Sequence, residues 1–253
     1  MSDCCKVYCS GSVKAPYKWI TSTPIGINRL LLINGGEGGY IDNGKKIPFK
    51  KDALYLIPGN TNYIHTYSSY ETDEQRLDHS YVNFELVPPI LSKSVFCLHY
   101  EDNPELKCVV ETFKALCIKS TVEKEFENLS ENNQKLLKSL VIYLVDTILE
   151  QYNLKVVTDQ LIINSLKLMH ENLGKQQSIA QIAKSCYLST DGFIRKFKNQ
   201  IGETPYSYLK KLKIRTAQNM RSQGVSLEKI AKECGYADSS SLLHAIKKLN
   251  NFS

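Results

Sequence analysis

Apolar and polar positions follow a period near two through the first hundred residues and near 3.6 thereafter. Residues 29–33 form an apolar run that ends in Gly35-Gly36-Glu37-Gly38-Gly39. Tyr40-Ile41 then meets Asp42-Asn43-Gly44, where Asn-Gly supplies the positive φ that a tight hairpin turn requires. Residues 47–49, 53–57, 63–67 and 81–86 continue as short strands, with Pro58-Gly59-Asn60 turning the chain. This spacing predicts a small antiparallel barrel or sandwich. From about Pro104 the helical period takes over. Leu136, Leu137, Leu140, Val141, Leu144, Val145, Ile148 and Leu149 recur at i, i+3, i+4 and i+7, an amphipathic helix with a wide apolar stripe. That stripe either packs on the barrel of its own chain or pairs with a second copy, and the two uses are compatible. Residues 151–159 are polar and weakly patterned, as in a linker.

The second half repeats itself. Ser178-Ile179-Ala180-Gln181-Ile182-Ala183-Lys184-Ser185-Cys186 is matched by Ser226-Leu227-Glu228-Lys229-Ile230-Ala231-Lys232-Glu233-Cys234, a shift of 48 residues from Ile182 to Ile230. Each copy opens with a Ser N-cap and places a small Ala where a second helix can cross closely. A turn and another short helix follow, residues 190–200 and 239–249, with Phe193 and Phe197 inward in one and Leu242 and Ile246 in the other. Two helix-turn-helix units are therefore expected, joined by a connector over residues 205–223. At 1.5 Å per residue that connector measures roughly 28 Å. One turn of B-DNA is about 34 Å, so a rod of this length suits two recognition helices in successive major grooves.

Charge sharpens the picture. The formal net charge is +6, but residues 161–253 hold 15 Lys+Arg against 6 Asp+Glu, while the front is mildly acidic. A basic back half suits a polyanion, either DNA or membrane headgroups. The apolar run at residues 140–145 falls far short of the roughly 20 residues that span a bilayer. No export signal is evident, and a cytoplasmic location is expected. Of the 8 cysteines no pair forms a C-x-x-C, and Cys4, Cys5 and Cys9 lack a nearby fourth ligand. Reduced thiols, no metal and no cofactor are expected. The glycine run lacks the spacing of a phosphate cradle and reads as a relaxed strand edge.

Residues 178–248 resemble the AraC/XylS family of bacterial transcription regulators. The resemblance rests on Ile182-Ala183, Ser189, Phe193, Arg195, Phe197-Lys198 and Gly202-Glu203-Thr204-Pro205-Tyr206-Ser207-Tyr208-Leu209. It continues through Arg215, Ala217, Met220, Ile230-Ala231, Gly235-Tyr236, Asp238, Leu242 and Lys247. Residues 31–44, 52–58, His65 and 81–86 resemble the family's cupin-like sensor domain. The resemblance implies an α+β chain: a cupin-like β-barrel with a dimerisation-type helix over residues 1–155, then an all-α DNA-binding domain over 156–253. Its first unit would span about 178–200 and its second about 226–249. It further implies an activator that binds double-stranded promoter DNA and contacts RNA polymerase, with an effector pocket and a homodimer helix around Leu136 to Leu149.

By position in the motif, base contacts fall to Asp191, Ile194 and Arg195 in the first unit. In the second they fall to Ser239, Ser240, Ser241 and His244. A guanidinium on guanine makes Arg195 the leading candidate, with a phosphate contact as the alternative. Ser178, Lys196, Lys198, Ser226, Lys247 and Lys248 are placed on phosphates. Trp19, Arg29, His65 and Tyr81 are the candidates to line the effector pocket.

This chain departs from the family pattern at several points. Tyr187 stands at the usual turn glycine, Ile246 replaces a Phe, and His244 with three serines replaces larger readers. The usual closing segment does not follow residue 253, so a less stable second unit is expected. A thiol- or metal-responsive regulator with the same DNA-binding domain is the alternative. A cupin enzyme is disfavoured, since His65, His79 and His99 are scattered and no H-x-H occurs.

Overall fold

A computed structural model describes residues 5–15, 20–22, 27–42, 45–59, 65–68, 72, 75–92, 94–154, 157, 159–175, 177–222 and 224–250. The chain forms two compact units, the second consisting chiefly of Val156–Ser253. It also takes in Val87–Leu91, a short apolar stretch whose Val87 and Leu91 pack on its core. The boundary read from the sequence kept that stretch in the front domain.

The first unit carries β1 (Cys5–Lys14), β2 (Ile20–Ser22), β3 (Asn28–Gly35), β4 (Gly38–Asp42), β5 (Lys45–Pro48), β6 (Ala53–Ile57), β7 (His65–Ser68), β8 (Asp78–Leu86) and β9 (Phe96–His99). They form two antiparallel sheets, ordered β1-β8-β3-β6-β9 and β2-β7-β4-β5. Among the described residues no ladder joins the two, so the architecture is a cupin-like double sheet rather than a closed barrel. Tyr40, Phe49 and Tyr55 cluster between the sheets with ring centroids 4.8–6.4 Å apart.

β3 and β6 are buried almost throughout, which explains why their sequences run Leu-Leu-Leu-Ile and Ala-Leu-Tyr-Leu-Ile without alternation. The glycine run links β3 to β4. Gly36 has φ 77 and lies so close to the Arg76 carbonyl that a Cβ would overlap it. The pairing of Asp42 with Lys45 leaves Asn43-Gly44 as the two-residue connection, itself outside the described residues. β1, β2 and β9 escape sequence reading: Cys, Ser, Gly and Lys obscure the period in β1, while β2 and β9 are only 3 and 4 residues long.

α1 (Pro104–Val122) begins at an Asn103 cap, and α2 (Glu131–Gln151) at a Ser130 cap. Both pack against the five-stranded sheet. Leu137, Val141, Leu144, Val145 and Ile148 of α2 are buried in this unit, whereas Leu136 and Tyr143 remain exposed. Among the described residues no helix is long and apolar enough to cross a membrane.

The second unit is helical: α3 (Gln160–Glu171), α4 (Ile179–Ser185), α5 (Thr190–Ile201), α6 (Pro205–Ser222), α7 (Leu227–Glu233) and α8 (Ser239–Asn250). It has two small cores. Ile162, Leu166, Met169, Ile182, Ala183, Phe193, Phe197, Tyr208 and Leu212 belong to one, and Ala217, Ile230, Ala231, Cys234 and Leu242 to the other. The first turns of α6 serve the first core and its later turns the second. Its 18 residues make a rod about 27 Å long.

Candidate nucleic-acid interface and a buried guanidinium

Each helix-turn-helix unit is held by its caps. Ser178 and Gln181 form a reciprocal capping box at the start of α4, and Ser226 accepts from the Lys229 N–H at the start of α7. Ser189 accepts from the Gly192 N–H to start α5, and Asp238 accepts from the Ser241 N–H at 2.7 Å to start α8. Those backbone donors hold the Asp238 carboxyl below its ordinary pKa.

The caps expose a difference between the copies. The first helices correspond at a shift of 48, Ser178 with Ser226. The second helices correspond at 49: Ser189 with Asp238, Phe193 with Leu242, Phe197 with Ile246. The second turn, Cys234 to Asp238, is one residue longer than the first, Cys186 to Ser189.

The outer face of α5 exposes Asp191, Arg195 and Lys198, with Ile194 half-buried, while Phe193 and Phe197 are fully buried behind them. The outer face of α8 exposes Ser240, Ser241, Leu243, His244 and Lys247, with Ser239 half-buried and Leu242 fully buried. The side chain of Lys248 lies outside the described residues. Lys196, expected on a phosphate, forms an ion pair within the helical unit. Its ammonium sits 2.7 Å from the Asp159 carboxylate that caps α3, so it ties α5 to its neighbour. Ser178 and Ser226 likewise spend their hydroxyls on caps, and α4 and α7 have only 7 residues each.

Tyr187 has φ 57 and is 94% exposed. Its counterpart Gly235 has φ 68, the left-handed conformation that glycine adopts without strain. Around Gly235 the backbone is crowded. An added Cβ would meet Lys213 Nζ at 2.9 Å and the carbonyls of Leu173 and Gly174 at 3.1 Å. Arg215, buried on α6, lies over the Tyr208 ring at 5.7 Å, and the Tyr208 hydroxyl meets His170 Nε2 at 3.0 Å.

In the first unit of the chain, the ladders β1·β8 and β8·β3 place Cys9, Asn83 and Arg29 side by side, with Tyr81 and His79 further along β8. Arg29 is 8% exposed, donates from Nε to Asn83 Oδ1 at 2.8 Å and lies 5.7 Å from the Tyr81 ring. Among the described residues it has no carboxylate partner. It shares a strand face with Leu31 and Ile33, which meet Tyr40 and Phe49 in the cluster between the sheets. Burial lowers its pKa and, with the Arg29 charge, pushes His79 down to about 4. Two of the four expected pocket residues, Arg29 and Tyr81, thus lie together. Trp19 and the side chain of His65 lie outside the described residues. Asn83, His79 and Cys9 were not foreseen, because only strand register reveals them. Burial raises the thiol pKa of Cys9, Cys97 and Cys186, and that of Cys234 to about 11, so none of these thiols is activated by its surroundings.

Residues 182–253 match the family model described as a helix-turn-helix domain. The chain is 24% identical over 218 residues to the HTH-type transcriptional activator RhaR of Mannheimia succiniciproducens, covering 84% of this chain and 77% of that one. It is 27% identical over 94 residues to a Streptomyces antibioticus protein named as an AraC-like transcription regulator, 37% of this chain and 31% of that one. Its fold is similar to that of unsaturated-fatty-acid-bound ToxT from Vibrio cholerae. The TM-score there is 0.59 at 14% identity, over 97% of this chain and 91% of that one.

Two stability predictions follow from this geometry. Tyr187→Gly should raise the chemical-denaturation stability of the helical unit by about 1 kcal/mol, whereas Gly235→Ala should lower it by at least that much. The His79 pKa of about 4 lies below its unfolded value near 6.5, so the unfolded chain binds the extra proton. His79 therefore contributes stability above pH 6.5 that is lost as pH falls toward 4. In His79→Gln the loss of the sheet unit's stability across that window should be shallower, measured by denaturation at several pH values.

Proposed function

We propose that this chain is a helix-turn-helix transcriptional regulator of the AraC type rather than an enzyme, and that it reads an extended promoter site with two heads of one chain. One observation carries the reading: α5 and α8 each turn an exposed polar and cationic face outward while α6 is built into the core behind both. In this reading Arg195 takes a guanine edge through its planar fork of donors, with Asp191 and Ile194 beside it. Ser239, Ser240, Ser241 and His244 serve the second site through shorter contacts. Lys198, Lys247 and Lys248 hold phosphates and set register rather than sequence. The regulator is proposed to activate, by analogy with RhaR, with RNA polymerase as its partner at the promoter.

The front unit is proposed to receive a carboxylate ligand with an apolar tail. Support comes from the buried guanidinium of Arg29, which has no carboxylate partner among the described residues, on the face that carries Leu31 and Ile33, and from the fatty acid bound by ToxT. A charge so placed is costly to desolvate and is relieved by an anion. A second copy of the chain is proposed to cover the exposed Leu136 and Tyr143 of α2.

Binding to duplexes selected from a random pool tests the DNA assignment. Arg195→Ala should lower affinity about tenfold or more and relax base choice at one position. Lys198→Ala should weaken all sequences alike and reduce the salt slope by about one. The opposite pattern would reverse the two roles. Calorimetry with oleate and its methyl ester tests the pocket. Oleate should bind and the ester should not, and Arg29→Met should lose at least about tenfold in affinity. Equal binding of acid and ester would refute the anion assignment.

A further inference from the structure

We propose that Leu243 is a specificity-determining residue that recognises the 5-methyl group of a thymine in the second half of the DNA site. The inference rests on the reading that α8 enters the major groove.

A lone exposed leucine is ordinary on a protein surface. What singles out Leu243 is its position once the two units are aligned on their caps. Counted from Ser189 and from Asp238, the second residues are Asp191 and Ser240, the sixth are Arg195 and His244, and the ninth are Lys198 and Lys247. The fifth are Ile194 and Leu243. Both copies therefore place an aliphatic side chain directly before the principal polar reader and four residues before the outer lysine. An alignment at the uniform shift of 48 pairs Ile194 with the buried Leu242 instead and hides this correspondence.

The surroundings supply the second argument. Leu242 is fully buried in the second core, so Leu243, about 100° further round the helix, turns away from that core. It is 38% exposed, and Ser240, Ser241, His244 and Lys247 around it are all exposed. It is the apolar member of an otherwise polar, cation-flanked face. In the major groove every base edge presents hydrogen-bond donors or acceptors, and thymine alone adds a methyl group. An aliphatic side chain gains nothing from the polar edges and buries area against that methyl. The small serines beside it leave room for this approach.

The test removes one methyl group at a time. Duplexes selected by the full-length wild-type chain are resynthesised with each thymine of the second half-site replaced singly by deoxyuridine. One replacement should weaken wild-type binding about fourfold, the worth of one buried methyl. Leu243→Ala should bind the thymine duplex more weakly by a similar factor and should not distinguish thymine from deoxyuridine at that position. Ile194→Ala should keep the second-half discrimination intact. The proposal is overturned if no deoxyuridine in the second half-site weakens wild-type binding, or if Leu243→Ala retains the same penalty. The deoxyuridine series on the wild-type protein needs no variant to fold. Failure of the wild-type chain to select any sequence is a different result, which overturns the DNA reading itself and this inference with it.

Discussion

The helical unit depends on one sharing constraint: α6 supplies side chains to two separate cores. Tyr208 and Leu212 complete the core behind α5, and Ala217 lies in the core behind α8. Neither core is large enough to count as a domain in its own right, and a single rigid helix lets both draw on one backbone. The buried Arg215 fits this role. Its guanidinium stacks on Tyr208, which in turn meets His170 of α3, so the middle of the rod is fixed sideways as well as along its axis. The ion pair between Glu203 and Lys211 at 2.8 Å, with Ser207 donating to Glu203 at 2.6 Å, secures its first turns. Crowding at Gly235 adds a backbone-to-backbone contact with the residues after α3, so the second unit is braced against more than the rod alone.

In the sheet unit the corresponding tension is electrostatic. Burying Arg29 beside Asn83, Cys9 and Tyr81, with no carboxylate partner among the described residues, leaves a positive charge in a place where water is scarce. The same field helps keep His79 neutral. Sheets with purely structural interiors fill such positions with aliphatic side chains, as β3 does at Leu31 and Ile33 one and two pairs further along.

The repeat was legible because helical caps and inward aromatics leave short, strongly patterned traces in sequence, and Ser178, Ser226, Phe193 and Phe197 did so. What the sequence left hidden has specific causes. Lys196 looked like one more cation on a reading helix, since its partner Asp159 lies 37 positions away and only packing brings the two together. Leu243 was overlooked because a single exposed leucine is ordinary on a protein surface, and its position stands out only when α8 is counted from its Asp238 cap. In the front half, Arg29 and Tyr81 were identifiable by type, but Asn83, His79 and Cys9 became neighbours only through the pairing of β1, β8 and β3. Strand register is fixed by the whole sheet, not by any local signal.

The tandem order of the two units has a geometric corollary. Regulators that read DNA as two-fold dimers match palindromes and are indifferent to which way the site points. Here α5 and α8 differ in sequence and follow one another along a single chain. If both helices read DNA as proposed, their site has a head and a tail, and a bound protomer faces either toward or away from the start of the gene. Inverting the site turns the whole assembly around, so the direction of the sequence on the chromosome is itself part of the instruction.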